Sequence, residues 1–165
     1  MFENIYNSCL SNNYRNIYGN NKRNNTSIIN SILINETIIS PGGEVPFDVN
    51  RVQVSDDIVH DLKNNNTNFK ICTSGLYKAA FTTNAKLYIG EIYETISLAI
   101  VINGNIIPGT IIKKSCGPNE TVNLSTQVVF LVANGTTAIL SIVALRENTP
   151  IIVCNNANII IEKIY

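Results

Sequence analysis

Residues 97–110, which read SLAIVINGNIIPGT, give the clearest indication of the fold of this chain. Asn103 and Gly104 supply the two left-handed backbone positions of a tight hairpin turn, so this segment predicts a strand, a turn and a second strand. The four residues ahead of the turn are all apolar: Ala99, Ile100, Val101 and Ile102. A strand with one face in water alternates apolar and polar residues, so both faces of this strand are expected to be covered.

The rest of the chain after residue 27 repeats this kind of segment. Runs of about 4 to 9 residues rich in Ile, Val, Thr, Tyr and Phe are separated by turns rich in Gly, Pro, Asn and Asp. A helical period is nowhere sustained over about 11 residues. The pattern therefore predicts an all-β domain of about ten short strands in a two-sheet antiparallel sandwich. We favour a jelly roll over an immunoglobulin-like sandwich, because the chain has no Trp.

The composition limits the number of domains and the kinds of partner. The chain has 165 residues, 45% of them hydrophobic and 15% charged, which is enough for one core and too few residues for two comfortable domains. Twelve basic and twelve acidic residues cancel, so we expect no nucleic-acid partner. No segment reaches the roughly 18 consecutive apolar residues of a membrane helix, and the N-terminus lacks the apolar run of a secretory signal. We expect neither membrane insertion nor passage through the secretory pathway.

The first 30 residues differ in composition from the remainder. Ten of them are asparagine, and they show neither a helical nor a strand period. Such a segment buries too little apolar surface to offset the entropy of ordering. We predict that residues 1–27 form a flexible Asn-rich tail and that residues 28–165 form the folded domain.

Five segments together resemble a known family. They are VPFDV (45–49), FKICTSGLYKAAFTT (69–83), LAIVINGNIIPGT (98–110), TVNLSTQVVFLVANGTTAIL (121–140) and ANIIIEKIY (157–165). The most specific features are the spacing from Phe69 through Gly75 to Tyr77 and the hairpin INGNIIPGT. The order of segments resembles the C-terminal domain of the BclA-type glycoproteins of bacterial spore surfaces, within the jelly-roll superfamily of complement globular heads and tumour necrosis factor-like proteins.

This resemblance implies a ten-stranded antiparallel jelly roll that assembles as a stable homotrimer. It also implies a structural or interaction protein of a spore or cell surface, such as an exosporium component, and not an enzyme. The spore-surface proteins carry a collagen-like Gly-X-Y stalk, whereas this chain has only nine glycines and cannot form a triple helix. We therefore expect the Asn-rich tail to replace the stalk as the tether to surface-layer proteins.

Several predicted strands are apolar on both faces, which leaves an outer sheet surface in need of a partner. Self-association is the simplest solution, and the resemblance suggests a three-fold ring. The residues predicted at the trimer interface come from three such strands and the C-terminus: Ala99, Ile100, Val101, Ile102, Leu140, Ile142, Ile160 and Tyr165.

The single histidine, His60, lies in the sequence VSDDIVHDL beside three carboxylates, those of Asp56, Asp57 and Asp61. Carboxylate oxygens suit calcium, and His60 with Asp61 would suit acid–base chemistry. The spacing is not that of an EF-hand, so we favour a solvated polar loop that leads into a strand, and we expect no cofactor. No G-x-S-x-G or cysteine-protease sequence supplies a nucleophile, and no catalytic residue is predicted.

The cysteines and tyrosines leave alternatives open. Cys9, Cys72, Cys116 and Cys154 form no C-x-x-C pair, which favours buried free thiols, with a disulfide between two of them as the alternative. Four tyrosines suit a sugar-stacking platform: Tyr77, Tyr88, Tyr93 and Tyr165. The main alternative function is therefore glycan recognition by a lectin-like or receptor-binding trimer, as in an adhesin or a phage tail tip. A subunit of a larger shell is the third.

Overall fold

The computed structural model describes residues 26–147 and 149–165, and this part of the chain folds into twelve β-strands without a helix. The strands are β1 (Ile28–Ile32), β2 (Thr37–Ile39), β3 (Val49–Val54), β4 (Ile58–Asp61), β5 (Asn65–Ile71), β6 (Gly75–Leu87), β7 (Glu94–Ile102), β8 (Asn105–Ile106), β9 (Ile112–Cys116), β10 (Val122–Val132), β11 (Ala138–Ala144) and β12 (Ile152–Lys163). The described residues accordingly include no helix long and apolar enough to cross a membrane.

The first sheet is built around two long strands, β6 and β12. Its order is β10–β6–β12–β1–β3, and β2 pairs with β12 beyond the end of β1. The antiparallel pairing of β6 with β12 runs from Leu87 opposite Ile152 to Tyr77 opposite Lys163. The C-terminal strand therefore lies in the middle of the sheet, with neighbours on both sides.

The second sheet has the order β4–β5–β11–β7–β8, and β9 also pairs with β7. All of its strand pairs are antiparallel. The segment ahead of β3 extends this sheet through a bridge between Glu44 and Val143. The two sheets form the predicted all-β sandwich.

The core fills the space between the sheets with alternate side chains of each strand. On β6, for example, every second side chain from Tyr77 to Leu87 is buried, including Phe81, whereas the side chains that alternate with them are half-buried. The ring of Phe47 packs edge-on against Phe69, with ring centroids 5.3 Å apart. This arrangement of aromatic rings contributes packing energy in addition to the burial of apolar surface.

β7 explains the run of apolar residues before the Asn-Gly turn. Its core-facing side chains are fully buried: Ile96, Leu98 and Ile100. On the opposite face, Ala99 is 0% exposed and Val101 is 8% exposed. We expected the opposite face to meet a neighbouring subunit, but the chain covers both faces by itself.

Two features divide the predicted segments into more strands than expected. The carboxylate of Asp48 accepts hydrogen bonds from the backbone N–H groups of Ile34 and Asn35, which lie in the turn that separates β1 from β2. β3 reads VNRVQV and has only exposed or half-exposed side chains. Val52 and Val54 alternate with a polar residue, but Val49 lies out of step with them, which is why the sequence did not predict this strand.

The folded domain begins slightly earlier than predicted. Ser27 is fully buried, and its carbonyl oxygen accepts a 2.8 Å hydrogen bond from the backbone N–H of Lys163. Ser27 therefore extends the pairing of β1 with β12 by one residue. The rest of the predicted tail, residues 1–25, lies outside the described residues.

Replacing a β7 core side chain should destabilise the protein far more than replacing an exposed one. We expect Ile100→Ala to lower the free energy of unfolding by about 2–5 kcal/mol, because it leaves a cavity between the sheets. Ile106→Ala, at a position that is 45% exposed, should change it by about 0.5 kcal/mol. Urea unfolding at one protein concentration measures both, and equal effects would contradict the burial of β7.

Candidate functional site

The face of the first sheet that points away from the second sheet carries an unusual mixture of side chains. The strand register defines two rows across it: Gln127, Ala80, Ile160, Asn30 and Val52 in one, and Val129, Lys78, Glu162, Ile28 and Val54 in the other. We call these two rows, with the flanking Leu131 and Asn158, the open face. Its side chains come from five of the six strands of the sheet, all except β2.

The open face exposes apolar side chains at both of its edges. Val52 and Val54 on β3 are 42% and 48% exposed, and Val129 and Leu131 on β10 are 54% and 73% exposed. Ile160 lies half-buried between them on β12. Apolar residues on both edges and at the centre of one sheet face are typical of a protein–protein contact.

The charges of the open face cancel within it. Its two charged side chains lie on neighbouring strands, with Lys78 Nζ 3.6 Å from Glu162 Oε1. Both side chains are about 40% exposed, so this ion pair contributes little stability by itself. It leaves the face without net charge, so that a second neutral surface can approach without repulsion.

Two amide oxygens on the open face are buried without a partner. Asn30 Oδ1 and Asn158 Oδ1 have almost no contact with solvent and accept no hydrogen bond from any described residue. A buried acceptor left in this state costs about 1–3 kcal/mol. Asn158 also lines a shallow depression of about 470 Å³, together with Thr82, Ser125, Gln127 and others. Each of the two oxygens therefore has capacity for a further hydrogen bond.

The predicted interface residues separate into three groups. Five are buried within the single chain and offer no free surface: Ala99, Ile100, Val101, Leu140 and Ile142. Ile102 is half-buried beside the Asn-Gly turn. Ile160 lies at the centre of the open face, and Tyr165, which is 93% exposed, lies beside Leu76 at the end of the sheet. Only the last two lie on or next to the open face.

The three predicted carboxylates do not converge on one site. Asp57 accepts a hydrogen bond from Ser27, and Asp56 is exposed. Asp61 accepts hydrogen bonds from Asn64 and from the backbone of Lys63, which lower the pKa of its carboxyl group, with the side chain of Asn64 as the largest cause. Among residues 26–147 and 149–165, no three His, Cys, Asp or Glu side chains are grouped so that they could hold a metal ion.

His60 is not in a solvated loop, which corrects the prediction for this segment. It lies on β4, is 6% exposed and stacks on the ring of Phe69 with centroids 4.2 Å apart. Its Nδ1 lies 2.7 Å from Asn50 Oδ1, and its Nε2 lies 3.1 Å from the carbonyl oxygen of Asn66. Burial lowers the pKa of the imidazole, against smaller opposing effects of Asn66 and Asp61. With both ring nitrogens engaged, His60 joins the two sheets and is not placed as a catalytic base.

The cysteines are not available as nucleophiles. Cys116 and Cys154 are buried free thiols, and burial raises the pKa of both, that of Cys154 to about 12. A thiol reacts as its thiolate, so these two are inert at neutral pH. Cys72 is disulfide-bonded, unlike the free thiol that the sequence favoured. Cys9 lies outside the described residues.

The four tyrosines do not form one platform. Tyr77 is buried in the core, where its hydroxyl lies 2.7 Å from Thr73 Oγ1. Tyr88 and Tyr93 lie in the loop after β6, at the opposite end of that strand from Tyr165. A sugar-binding site built from all four is therefore absent from this arrangement.

The structure explains why the most specific motif residues have their identities. Gly75 has φ of 149°, and a Cβ atom there would lie 2.6 Å from the carbonyl oxygen of Tyr165. Only glycine permits this approach of the C-terminus. Asn103 and Gly104 have φ of 52° and 77°, as the hairpin turn requires.

Comparison with solved structures identifies the fold. The crystal structure of murine APRIL at pH 8.5 superposes with a TM-score of 0.60 and 12% sequence identity, covering 84% of this chain and 99% of that one. The globular domain of zebrafish complement C1qA gives a TM-score of 0.56 and 14% identity, covering 84% and 98%. The chain therefore has the jelly-roll fold of TNF-like and C1q globular domains. No protein-family model and no curated protein sequence matches the chain.

Sequence reasoning missed Asn30 and Asn158 on the open face. The available signal was the alternation of β1, where Ile29 and Ser31 are buried and Asn30 between them points to the other side.

Acidification should destabilise the fold through His60. Its pKa in the folded protein is below the ordinary 6.5, so below about pH 6.5 the unfolded chain takes up a proton that the folded chain resists. The contribution of His60 to the free energy of unfolding should thus be constant above pH 6.5. Below pH 6.5 it should fall by at most about 1.4 kcal/mol per pH unit. Urea unfolding between pH 7.5 and pH 5 measures the slope.

The matched variant for this measurement is His60→Gln. It keeps an amide that can bond to Asn50 and Asn66 but does not titrate, and His60 is the only histidine of the chain. The slope should disappear in the variant. An unchanged slope would mean that another group is responsible.

Proposed function

We propose that this protein is a non-enzymatic interaction module that assembles as a homotrimer through its open face. The observation that carries the proposal is the exposure of apolar side chains on both edges of this face, Val52 and Val54 on β3 and Val129 and Leu131 on β10. Burying them against a neighbouring copy removes apolar surface from water.

The distribution of apolar side chains supports a ring. They lie on both the β3 edge and the β10 edge of the open face, so one edge of a copy can contact the other edge of the next. Such a heterologous contact closes into a ring when the rotation fits. TNF-like and C1q-like domains commonly form homotrimers, which favours a ring of three.

The lack of a reactive group supports a role in binding. The imidazole of His60 has both nitrogens engaged, and the two free thiols are buried with raised pKa values. Among the described residues of the open face, no accessible hydroxyl or thiol side chain lies beside a base.

We further propose that the trimer is displayed on the surface of a bacterial spore or cell, with residues 1–25 as its tether. Support comes from the resemblance of residues 69–83 and 98–110 to the BclA-type spore-surface domain. The residues that carry this resemblance, Phe69, Gly75 and Tyr77, occupy positions in the core or against the C-terminus that the fold requires.

The purified protein should have three times the 18.2 kDa chain mass in light scattering. Val129→Glu places an unpaired charge on the open face and should convert the trimer to monomer, because a contact of about 800 Å² per partner does not tolerate a buried unpaired charge. Ile139→Glu is the control, since it is 44% exposed on the second sheet, and should remain trimeric.

A wild-type monomer at micromolar concentration would contradict the trimer. Reproducible binding of that monomer to a glycan array, lost in Gln127→Ala, would instead support a lectin-like function. The depression beside Gln127 and Asn158, with its hydroxyl and amide lining, is the feature that would hold the sugar.

Surface display predicts that antibody raised against the folded domain labels intact spores or cells. A chain without residues 1–25, made with Cys72→Ser so that no unpaired thiol is left at that position, should still give the trimer mass and should lose the labelling, because the described domain starts at residue 26. The full-length Cys72→Ser chain is the control and should keep the labelling. Equal labelling of both chains would contradict the role of residues 1–25 as a tether.

A further inference from the structure

The loop between β6 and β7 exposes four large apolar side chains within six residues. Tyr88, Ile89, Ile92 and Tyr93 are 47%, 77%, 68% and 73% exposed. A connection of this length normally consists of polar and turn-forming residues. We call residues 88–93 the tyrosine–isoleucine loop.

Contacts on both sides hold this loop in place. The backbone N–H of Tyr88 donates a 3.0 Å hydrogen bond to the carbonyl oxygen of Ile151. Leu87 packs against Gly90, where an added Cβ would lie 2.4 Å from its Cδ1. The ring of Tyr93 lies over Gly117 in the same way, 2.8 Å from such a Cβ. The apolar side chains are therefore presented by a packed loop.

The surroundings of the loop carry negative charge. Glu91 lies within it, Glu94 follows it on β7, and the carboxylate of Glu120 accepts a 2.8 Å hydrogen bond from Gly117 beside Tyr93. Residues 88–94 and 117–121 contain no Lys or Arg. The fitting partner is thus a segment that has apolar or aromatic side chains together with positive charge.

The sequence of this chain contains such a segment outside the described residues. Residues 12–25 read NNYRNIYGNNKRNN, with two tyrosines, one isoleucine and three basic residues, Arg15, Lys22 and Arg23. Residues 4–35 contain no Asp or Glu. The two regions therefore have opposite charge in a chain whose total formal charge is zero.

The position of residue 26 favours a contact between copies. Ser27 bonds to Lys163, next to Tyr77 at the start of β6, whereas the tyrosine–isoleucine loop follows Leu87 at the end of that strand. A 13-residue strand separates the two ends by about 40 Å. Two copies arranged end to end bring residues 1–25 of one beside the loop of the other.

We propose that the tyrosine–isoleucine loop of one copy binds residues 12–25 of another copy, so that the molecules join end to end. This contact involves neither the open face nor the trimer interface. Its binding partner for residues 12–25 is a second copy of this chain. Carboxylates of Glu91 and Glu94 pair with the basic side chains while the tyrosines and isoleucines pack together.

Sedimentation velocity of the full chain tests this contact at about 0.1 M and about 1 M NaCl, between which the Debye length falls from about 10 Å to about 3 Å. At the lower salt concentration we expect species larger than the basic oligomer, increasing with protein concentration. At the higher one, only the basic oligomer should remain, and its mass reports the trimer independently.

Variants on both sides of the contact identify it. Ile89→Ser with Ile92→Ser in the loop, and Arg15→Gln, Lys22→Gln and Arg23→Gln in the tail, should each weaken the larger assembly by about tenfold or more. Ile106→Ser with Ile139→Ser, at exposed sites elsewhere, is the control and should not. Circular dichroism verifies that each variant is folded.

A charge exchange decides whether the two regions bind each other. Glu91→Lys with Glu94→Lys should prevent the larger assembly, and mixing this variant with an Arg15→Glu, Lys22→Glu, Arg23→Glu chain should restore it. The proposal is overturned by a wild type that never exceeds the basic oligomer, by a tail variant that assembles as the wild type does, or by a mixture that fails to reassemble.

Discussion

The antiparallel pairing of β6 with β12 is the contact on which the rest of the structure depends. These strands have 13 and 12 residues, and they join the middle of the chain to its end. β10 adds to the outer side of β6, and β1 and β2 add to β12. The first sheet is therefore complete only when the last residues are in place, and Gly75 is the point where the C-terminus closes against β6. Contacts so distant in sequence predict slow folding relative to a helical protein of this size.

The two faces of this sheet serve different purposes. The inner face is apolar and sealed by the second sheet, with His60 and its partners Asn50 and Asn66 forming a polar connection at one corner. The open face combines valines at its edges with desolvated amides near its centre. Apolar contact supplies affinity without direction, whereas charged groups such as Lys78 and Glu162, which are about 40% exposed, can fix the register of a partner. This combination favours one defined assembly over general adhesion.

Much of the fold was predictable because it follows local rules. The Asn103–Gly104 hairpin and the alternation along β6 have the conformations that their residue types favour. The interface was harder to predict, because periodicity shows that a strand is apolar on both sides but not what covers it. On β7, the small side chains of Ala99 and Ser97 extend only a short distance from the sheet, so the chain itself buries them. His60 was assigned to a loop because most of its neighbours in sequence are polar. On the short strand β4, only Ile58 and His60 face inward, which is too few residues to give a recognisable apolar pattern.

The two buried thiols have a consequence for how long such a protein lasts. With a pKa of about 12, the Cys154 thiol is ionised in only about one molecule in 100,000 at pH 7, and thiolate is the species that attacks disulfides. Cys116 is protected by the same burial. The disulfide at Cys72 therefore faces no competing thiolate from within the fold. A molecule built in this way can remain in an oxidising environment without exchanging this crosslink with its own buried thiols.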